Sequence, residues 1–296
     1  YFWGFFVMVI IVVATFYLYN SSRESLHDAA LLQYQKQIHH DISNIIDERQ
    51  NSAISIALAL SENRSIHDFL CTSCTAQSDS LNFESLVKKL DLQTANGLIW
   101  IQVIDSKGVS RYRSWTAKVG DSLKDVRYDI RQMIDSPQVQ HGLSVGRYSL
   151  TFKSMVPIFD KNKKMLGMVE VITHTDALSK RLSRKQELSS VILVHKRFQK
   201  QLINADKSRF MDGFYLANSN VDAENLKRLQ AMSEARFSEI IPVQVEDGKV
   251  ITQYLLVDSL GRLMGYWFTF TDEANVDWND LRVLNRQYMY ASIIVA

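Results

Sequence analysis

The chain has 296 residues, 46% of them apolar and 22% charged, enough material for two modest cores. Its 34 basic and 32 acidic side chains leave a formal net charge of +2 and are spread evenly along the sequence. That balance lacks the clustered positive charge with which a protein neutralises phosphates, so no nucleic-acid partner is expected.

Residues 2 to 19, FWGFFVMVIIVVATFYLY, carry no charged side chain and are long enough to cross a bilayer at about 1.5 Å per helical residue. Aromatic residues at both ends suit the two interfaces, and no small-residue cleavage pattern follows. The segment 1–20 is therefore read as a permanent transmembrane helix rather than a cleaved signal peptide. From Phe5 to Asn96 there is neither Gly nor Pro. Within 21–62 the apolar residues Leu31, Ile38, Ile42, Ile45, Ile46, Ile56 and Leu60 recur at threes, fours and sevens, which predicts a stalk helix reaching about 60 Å from the membrane. Arg49 and Ser52 interrupt a strict heptad, so the stripe has two readings: a homodimer seam, or packing on its own domain. The two cysteines, Cys71 and Cys74, read first as a disulfide and second as free thiols. A zinc site would need a further pair at ligand spacing, and the adjacent His39 and His40 point to different sides of a helix.

Beyond the stalk the texture changes to short alternating runs at 99–105, 109–115, 147–159 and 165–173, with a helix predicted over 121–135. A second set follows at 190–197, 239–245, 249–257 and 263–271, predicting two sheets of about five strands each. PIFDKNKKMLGMVEVIT (157–173) and LLVDSLGRLMGYWFTFT (255–271) align without a gap, matching Asp160 with Asp258 and Gly167 with Gly265. The reading is one small unit used twice. A connecting helix is expected over 273–288, and Tyr288-Met-Tyr-Ala-Ser-Ile-Ile-Val-Ala296 reads as the start of a second span, a buried terminal strand being the alternative. Two spans would place the body between them outside the cytoplasm. Ser85-Leu-Val-Lys88 matches S-x-x-K, but it falls in a predicted amphipathic helix with no companion motif. No nucleophile elbow, metalloprotease, P-loop or dinucleotide fingerprint occurs, so this portion is read as non-catalytic and no cofactor is expected.

A first span, a stalk helix, two antiparallel sheet units and a return to the membrane resemble the double Cache family of bacterial extracytoplasmic sensors. The residues carrying the likeness are Y112-R-S-W115, K153-S-M-V-P-I-F-D160, L166-G-M-V-E-V-I-T173 and F210-M-D-G-F-Y-L-A-N218. The resemblance implies an α+β fold: a long N-terminal helix, a membrane-distal PAS-like domain over 63–188 and a membrane-proximal one over 189–272. It also implies a receptor of the bacterial inner membrane, a small-molecule ligand in the distal domain, and an output beyond the second span. Outputs of this kind are a histidine kinase, a diguanylate cyclase or a chemotaxis module, the first being preferred; a membrane-tethered periplasmic hydrolase or scaffold is the reading from another class.

Strand alternation puts Val109, Arg111, Arg113 and Trp115 on one face, and Tyr112 on the other. In amino-acid-binding members an Arg-x-Trp pair on this strand holds the ligand carboxylate, and Arg113-Ser-Trp115 matches it; a guanidinium fork suits a carboxylate. Those members also place an Asp where this chain has Ile172, the nearest carboxylate being Glu170. The expected ligand is accordingly a small carboxylate, an amino acid or another polar metabolite. Arg127, Tyr128 and Lys153 complete the expected lining, with Arg111 at the rim. In the second unit Phe268 stands where Glu170 stands in the first, which reads as filled core and assigns sensing to the distal unit.

Overall fold

The computed structural model describes residues 2–71, 81–93, 99–211, 213–232 and 243–295. Helix α1 (Phe2–Ser61) runs 60 residues without a break, about 90 Å at 1.5 Å per residue, as expected where no helix breaker follows Gly4. From Phe6 onward its N-terminal part is exposed and is long and apolar enough to cross a membrane. Further along, the predicted stripe is buried at Leu31, Ile38, Ile42, Ile45 and Leu60. The stripe is spent on the protein's own sheets, packing across the strands of the first and reaching the second, so it does not supply a dimer seam. Asp41, also buried, accepts from Lys185 at 2.6 Å and from Gln186, which ties α1 to the linker helix described below.

Two short helices, α2 (Arg64–Leu70) and α3 (Glu84–Gln93), follow. Cys71 caps α2, is buried and is disulfide-bonded; Cys74 lies outside the described residues. The first sheet is built from β1 (Ile99–Asp105), β2 (Ser110–Arg113), β3 (Gln140–Val145), β4 (Leu150–Phe159) and β5 (Met165–His174). Its order is β2-β1-β5-β4-β3, antiparallel throughout. Helix α4 (Tyr128–Asp135) lies between β2 and β3, shorter than the predicted 121–135, and β3 itself was not predicted. Helix α5 (Thr175–Gln186) leads into the second sheet.

That sheet contains β6 (Ser189–His195), β7 (Phe210–Met211), β8 (Phe214–Leu216), β9 (Gln244–Glu246), β10 (Lys249–Val257) and β11 (Leu263–Asp272), ordered β7-β8-β6-β11-β10-β9. Of the strand predicted over 239–245, residues 239–242 lie outside the described residues. Helix α6 (Ala223–Ala231) sits between β8 and β9, and α7 (Asn279–Val295) follows β11. The connecting helix and the start of the predicted second span form one continuous helix in α7. Among the described residues only α1 is long and apolar enough to cross a membrane. Beside the apolar part of α1, the rings of Tyr19 and Tyr288 stack at 4.0 Å, and those of His27 and Trp278 at 5.0 Å.

The sequence repeat is a structural repeat. In the β4–β5 turn the Asp160 carboxylate accepts from the backbone N–H of Asn162 and Lys164; in the β10–β11 turn Asp258 accepts from Leu260 and Arg262. Lys163 and Gly261, equivalent in the alignment, both adopt the left-handed conformation, at φ 61° and 74°. Gly167 and Gly265 meet the same constraint, since a Cβ would lie 2.3 Å from the Ile104 carbonyl oxygen in one case and 1.9 Å from that of Leu193 in the other.

Two separate cores were expected, but the largest is shared. Leu143, Leu150 and Phe152 of the first sheet, Ile192, Leu256 and Trp267 of the second, Ile38 and Ile42 of α1 and Leu178 of α5 form one buried cluster. The outer ends of the sheets carry their own clusters.

Candidate functional site

Register fixes the site. Residues paired across an antiparallel sheet point to the same face. Trp100 pairs with Ile172, which pairs with Lys153, which pairs with Gly142. One step along, Arg113 pairs with Gln102, Gln102 with Glu170, Glu170 with Met155 and Met155 with Gln140. These two rows form a wall on the face opposite α1, whose cluster takes the alternate residues Ile99, Ile101, Val169 and Val171. Over the wall lies a cavity of about 510 Å³, within the range of small-molecule sites.

Five of the six side chains expected to bind ligand line this cavity: Arg113, Trp115, Arg127, Tyr128 and Lys153. Glu170 does not line it. Its carboxylate is fully buried and holds the Arg127 guanidinium from behind, at 3.0 and 2.5 Å. The strict alternation assumed for 109–115 is broken by an irregularity opposite Val103 and Ile104, and β2 ends at Arg113. Arg111 consequently turns outward, 3.8 Å from Asp105, as expected of a rim residue. Tyr112 faces the other way, its hydroxyl accepting from the Phe83 N–H at 3.0 Å.

The two arginines are already engaged. Arg113 donates to Asp121 at 2.9 Å and to the Lys118 carbonyl at 2.8 Å, and the Asp121 carboxyl is held low, chiefly by that hydrogen bond. Arg127, N-cap of α4, gives its whole fork to two carboxylates: Asp129 at 3.0 and 2.5 Å, and Glu170. Burial opposes charge on both Arg127 and Asp129, yet their mutual attraction wins, leaving the guanidinium above and the carboxyl below their ordinary ranges. Gln102 joins the two groups. In the amide orientation that satisfies its neighbours, nitrogen donates to Glu170 at 3.0 Å and oxygen accepts from Arg113 Nε at 3.1 Å. The result is a continuous layer, Asp121, Arg113, Gln102, Glu170, Arg127 and Asp129, whose donors and acceptors are largely spent on one another.

Lys153 differs. It is 6% exposed, its ammonium donates to the neutral Ser144 hydroxyl at 3.0 Å, and no carboxylate lies within ion-pair distance of it among the described residues. Burial, followed by the nearby Arg127 charge, lowers its pKa to about 8, Asp129 and Glu170 only partly compensating. An ammonium has three donors, so two remain to be satisfied. Toward Trp100 the wall is apolar and aromatic. Ile172 separates Lys153 from Trp100, whose indole stacks on Trp115 at 4.6 Å and meets Tyr148 edge-on at 5.5 Å. Half-buried His174 packs against the same indole at 4.4 Å, its pKa lowered by desolvation.

Sequence reasoning overlooked Trp100, Asp129 and Tyr148. Trp100 was legible as the next cavity-facing position of its strand, and Asp129 as a carboxylate two residues after Arg127 at a helix start. No local signal marks the contributions from the second sheet, Ile203, Leu260 and Arg262, which also line the cavity.

A family model described as the double sensory domain of two-component sensor kinases (dCache_3) matches residues 31–255. No curated protein matches the chain. Among solved structures, the periplasmic domain of Vibrio cholerae LuxQ is similar at 13% identity and a TM-score of 0.50, covering 80% of this chain and 99% of that one. The sensor domain of the V. cholerae histidine kinase DctB is similar at 13% identity and 0.49, over 82% and 98%. An extracellular ligand-binding receptor from Desulfohalobium retbaense matches at 11% and 0.41, over 79% of this chain, which spans 40% of that receptor's length. At these identities the likeness bears on the fold alone.

Proposed function

The chain belongs to the double Cache family of sensory domains, a ligand-binding rather than a catalytic module, and from that membership we propose that it is the extracytoplasmic sensor of a membrane receptor for a small anionic metabolite. The observation that carries the reading is Lys153. A buried ammonium with one neutral hydrogen-bond partner, facing a cavity, supplies what an incoming carboxylate or other acceptor needs. The two arginines act differently from the sequence expectation: Arg113 shapes the 118–121 loop and Arg127 holds Asp129 and Glu170, so both position the wall. Trp115 and Tyr128 contribute surface around the anion. An amino-acid ligand fits less well, because the carboxylates that would accept its ammonium are occupied by Arg127.

In this reading the unit over 63–188 senses, and the unit over 189–272 couples it to the membrane through β11 and α7. α1 anchors the body, which lies outside the cytoplasm of a bacterial inner membrane. The output is a histidine kinase, in keeping with the family description; a diguanylate cyclase or chemoreceptor output would use the same sensor. The receptor acts as a homodimer through surfaces other than the α1 stripe.

The test is a thermal-shift panel of small carboxylates, phosphates and neutral analogues on the full chain in nanodiscs at pH 7. Carboxylates should raise the unfolding temperature of the wild type and not of Lys153→Met. Stabilisation by the same compounds in both proteins would reject the assignment.

A further inference from the structure

The mouth of the cavity has a chemistry unlike its floor. Four apolar side chains that line it are more than half exposed: Val126 at 64%, Tyr128 at 57%, Ile203 at 65% and Leu260 at 56%. A single exposed leucine means little, but four such side chains lining one cavity, interspersed with the exposed cations Lys118, Lys200 and Arg262, offer apolar surface beside positive charge. Val126 and Tyr128 come from the segment entering α4. Ile203 and Leu260 come from the second sheet, Ile203 after β6 and Leu260 at the tip of the β10–β11 turn.

These second-sheet residues are held in place. A Cβ at Gly142, on the cavity row of β3, would lie 3.3 Å from the Ser259 Cβ, so the hairpin tip sits directly on that strand. The Asn204 N–H donates to the Arg147 carbonyl at 2.9 Å, and the Tyr215 hydroxyl to the Tyr148 carbonyl at 3.2 Å. Tyr148 thus touches the second sheet through its backbone and Trp100 through its ring. Beside Lys153 the wall is apolar at Ile172 and at the stacked indoles of Trp100 and Trp115, and the four exposed apolar side chains line the same cavity.

We infer that the ligand is a single-chain amphiphile, an alkyl carboxylate or acyl anion, whose head lies at Lys153 and whose tail passes between Val126 and Tyr128 on one side and Ile203 and Leu260 on the other. This rests on the anion reading above and adds the tail. A volume of about 510 Å³ suits one short chain rather than a two-chain lipid. Because two contacts to the tail belong to the second sheet, that sheet reads occupancy directly, and Leu260 and Ile203 set the preferred chain length.

The experiment is a calorimetric titration of the full chain in nanodiscs, with empty nanodiscs as the partitioning control. The probes are sodium alkanoates from acetate to octanoate and, in parallel, the matching 1-alkanols. Wild-type affinity for alkanoates should rise about fourfold per methylene up to a cut-off, from roughly 0.8 kcal/mol per buried CH₂ at 1.4 kcal/mol per decade. Leu260→Gln and Ile203→Gln, both at exposed positions, should flatten that rise and leave acetate unchanged. Lys153→Met should weaken every alkanoate by the same factor and leave the alkanols alone. Alkanoate affinities independent of length, or a length dependence unmoved by Leu260→Gln and Ile203→Gln, would overturn the inference. Alkanols that follow chain length beside alkanoates indifferent to Lys153→Met would sink the anion reading and leave the tail groove standing.

Discussion

Removing Lys153 should make the empty protein more stable. Its pKa falls from 10.5 to about 8 on folding, and at about 1.4 kcal/mol per tenfold change the buried charge costs roughly 3 kcal/mol. The side chain is nearly fully buried, so solvent screening removes little of this. Because the folded-state pKa is the depressed one, the unfolded chain binds the proton more tightly. Stability therefore rises with pH between about 8 and 10.5 and is flat on either side as far as this group is concerned. Lys153→Met, close in shape and uncharged, escapes the penalty and loses one hydrogen bond to Ser144, for a net gain of about 2 to 3 kcal/mol at pH 7. In a chain of this size that is an upward shift of roughly 3–5 °C in Tm. Saturation with an anion at a hundred times Kd adds about 2.7 kcal/mol to the wild type alone and closes the gap. Thermal unfolding of both proteins at pH 7, 9 and 10.5, with and without octanoate, reads all of this. A variant less stable than wild type at pH 7, or a difference that does not shrink toward pH 10.5, would refute the reasoning.

Glu170→Gln should lower stability by about 3 kcal/mol in denaturant titration, because it breaks a fully buried ion pair and leaves Arg127 with Asp129 alone. Anion affinity should also fall as pH rises above about 8, approaching tenfold per pH unit as Lys153 deprotonates; calorimetric titration of octanoate from pH 6 to 9.5 checks this, and a flat profile would contradict it. Gly167→Ala and Gly265→Ala should both be strongly destabilising, by more than about 3 kcal/mol, since each Cβ would collide with a backbone carbonyl. Lys163→Gly should gain up to about 1 kcal/mol by relieving a left-handed backbone at an exposed turn; a loss of stability by urea titration would count against that account.

The long helix and both central hairpins could be read from the chain because their signals are local. An uninterrupted apolar stripe predicts α1, and the matched Asp and Gly of the repeat predict two like turns. β3 escaped because Gln140-His-Gly-Leu-Ser-Val145 is an edge strand with polar and glycine residues on its cavity row. Site residues on one strand were legible by alternation, as with Arg113. Their employment was not, because Asp121 and Glu170 reach the two arginines through the fold. A motif can place a guanidinium at a cavity, but only the packed structure shows whether its fork is still open. The state of Lys153 was hidden for the same reason: nothing local says that its ammonium meets the Ser144 hydroxyl of β3 rather than a carboxylate.

The core shared by both sheets has a bearing on how such a molecule can be taken apart. Leu143 and Phe152 on one side and Ile192 and Trp267 on the other exclude water together, with α1 and α5 laid across the seam. A cut between α5 and β6 would strip each half of its largest apolar face, so the fragments should aggregate instead of folding. Calorimetry of the intact body should show one transition, not two. Loss of either half is then loss of the whole, and changes in ligand preference have to be found at the cavity's edge, where exposed residues can be exchanged without opening the interior.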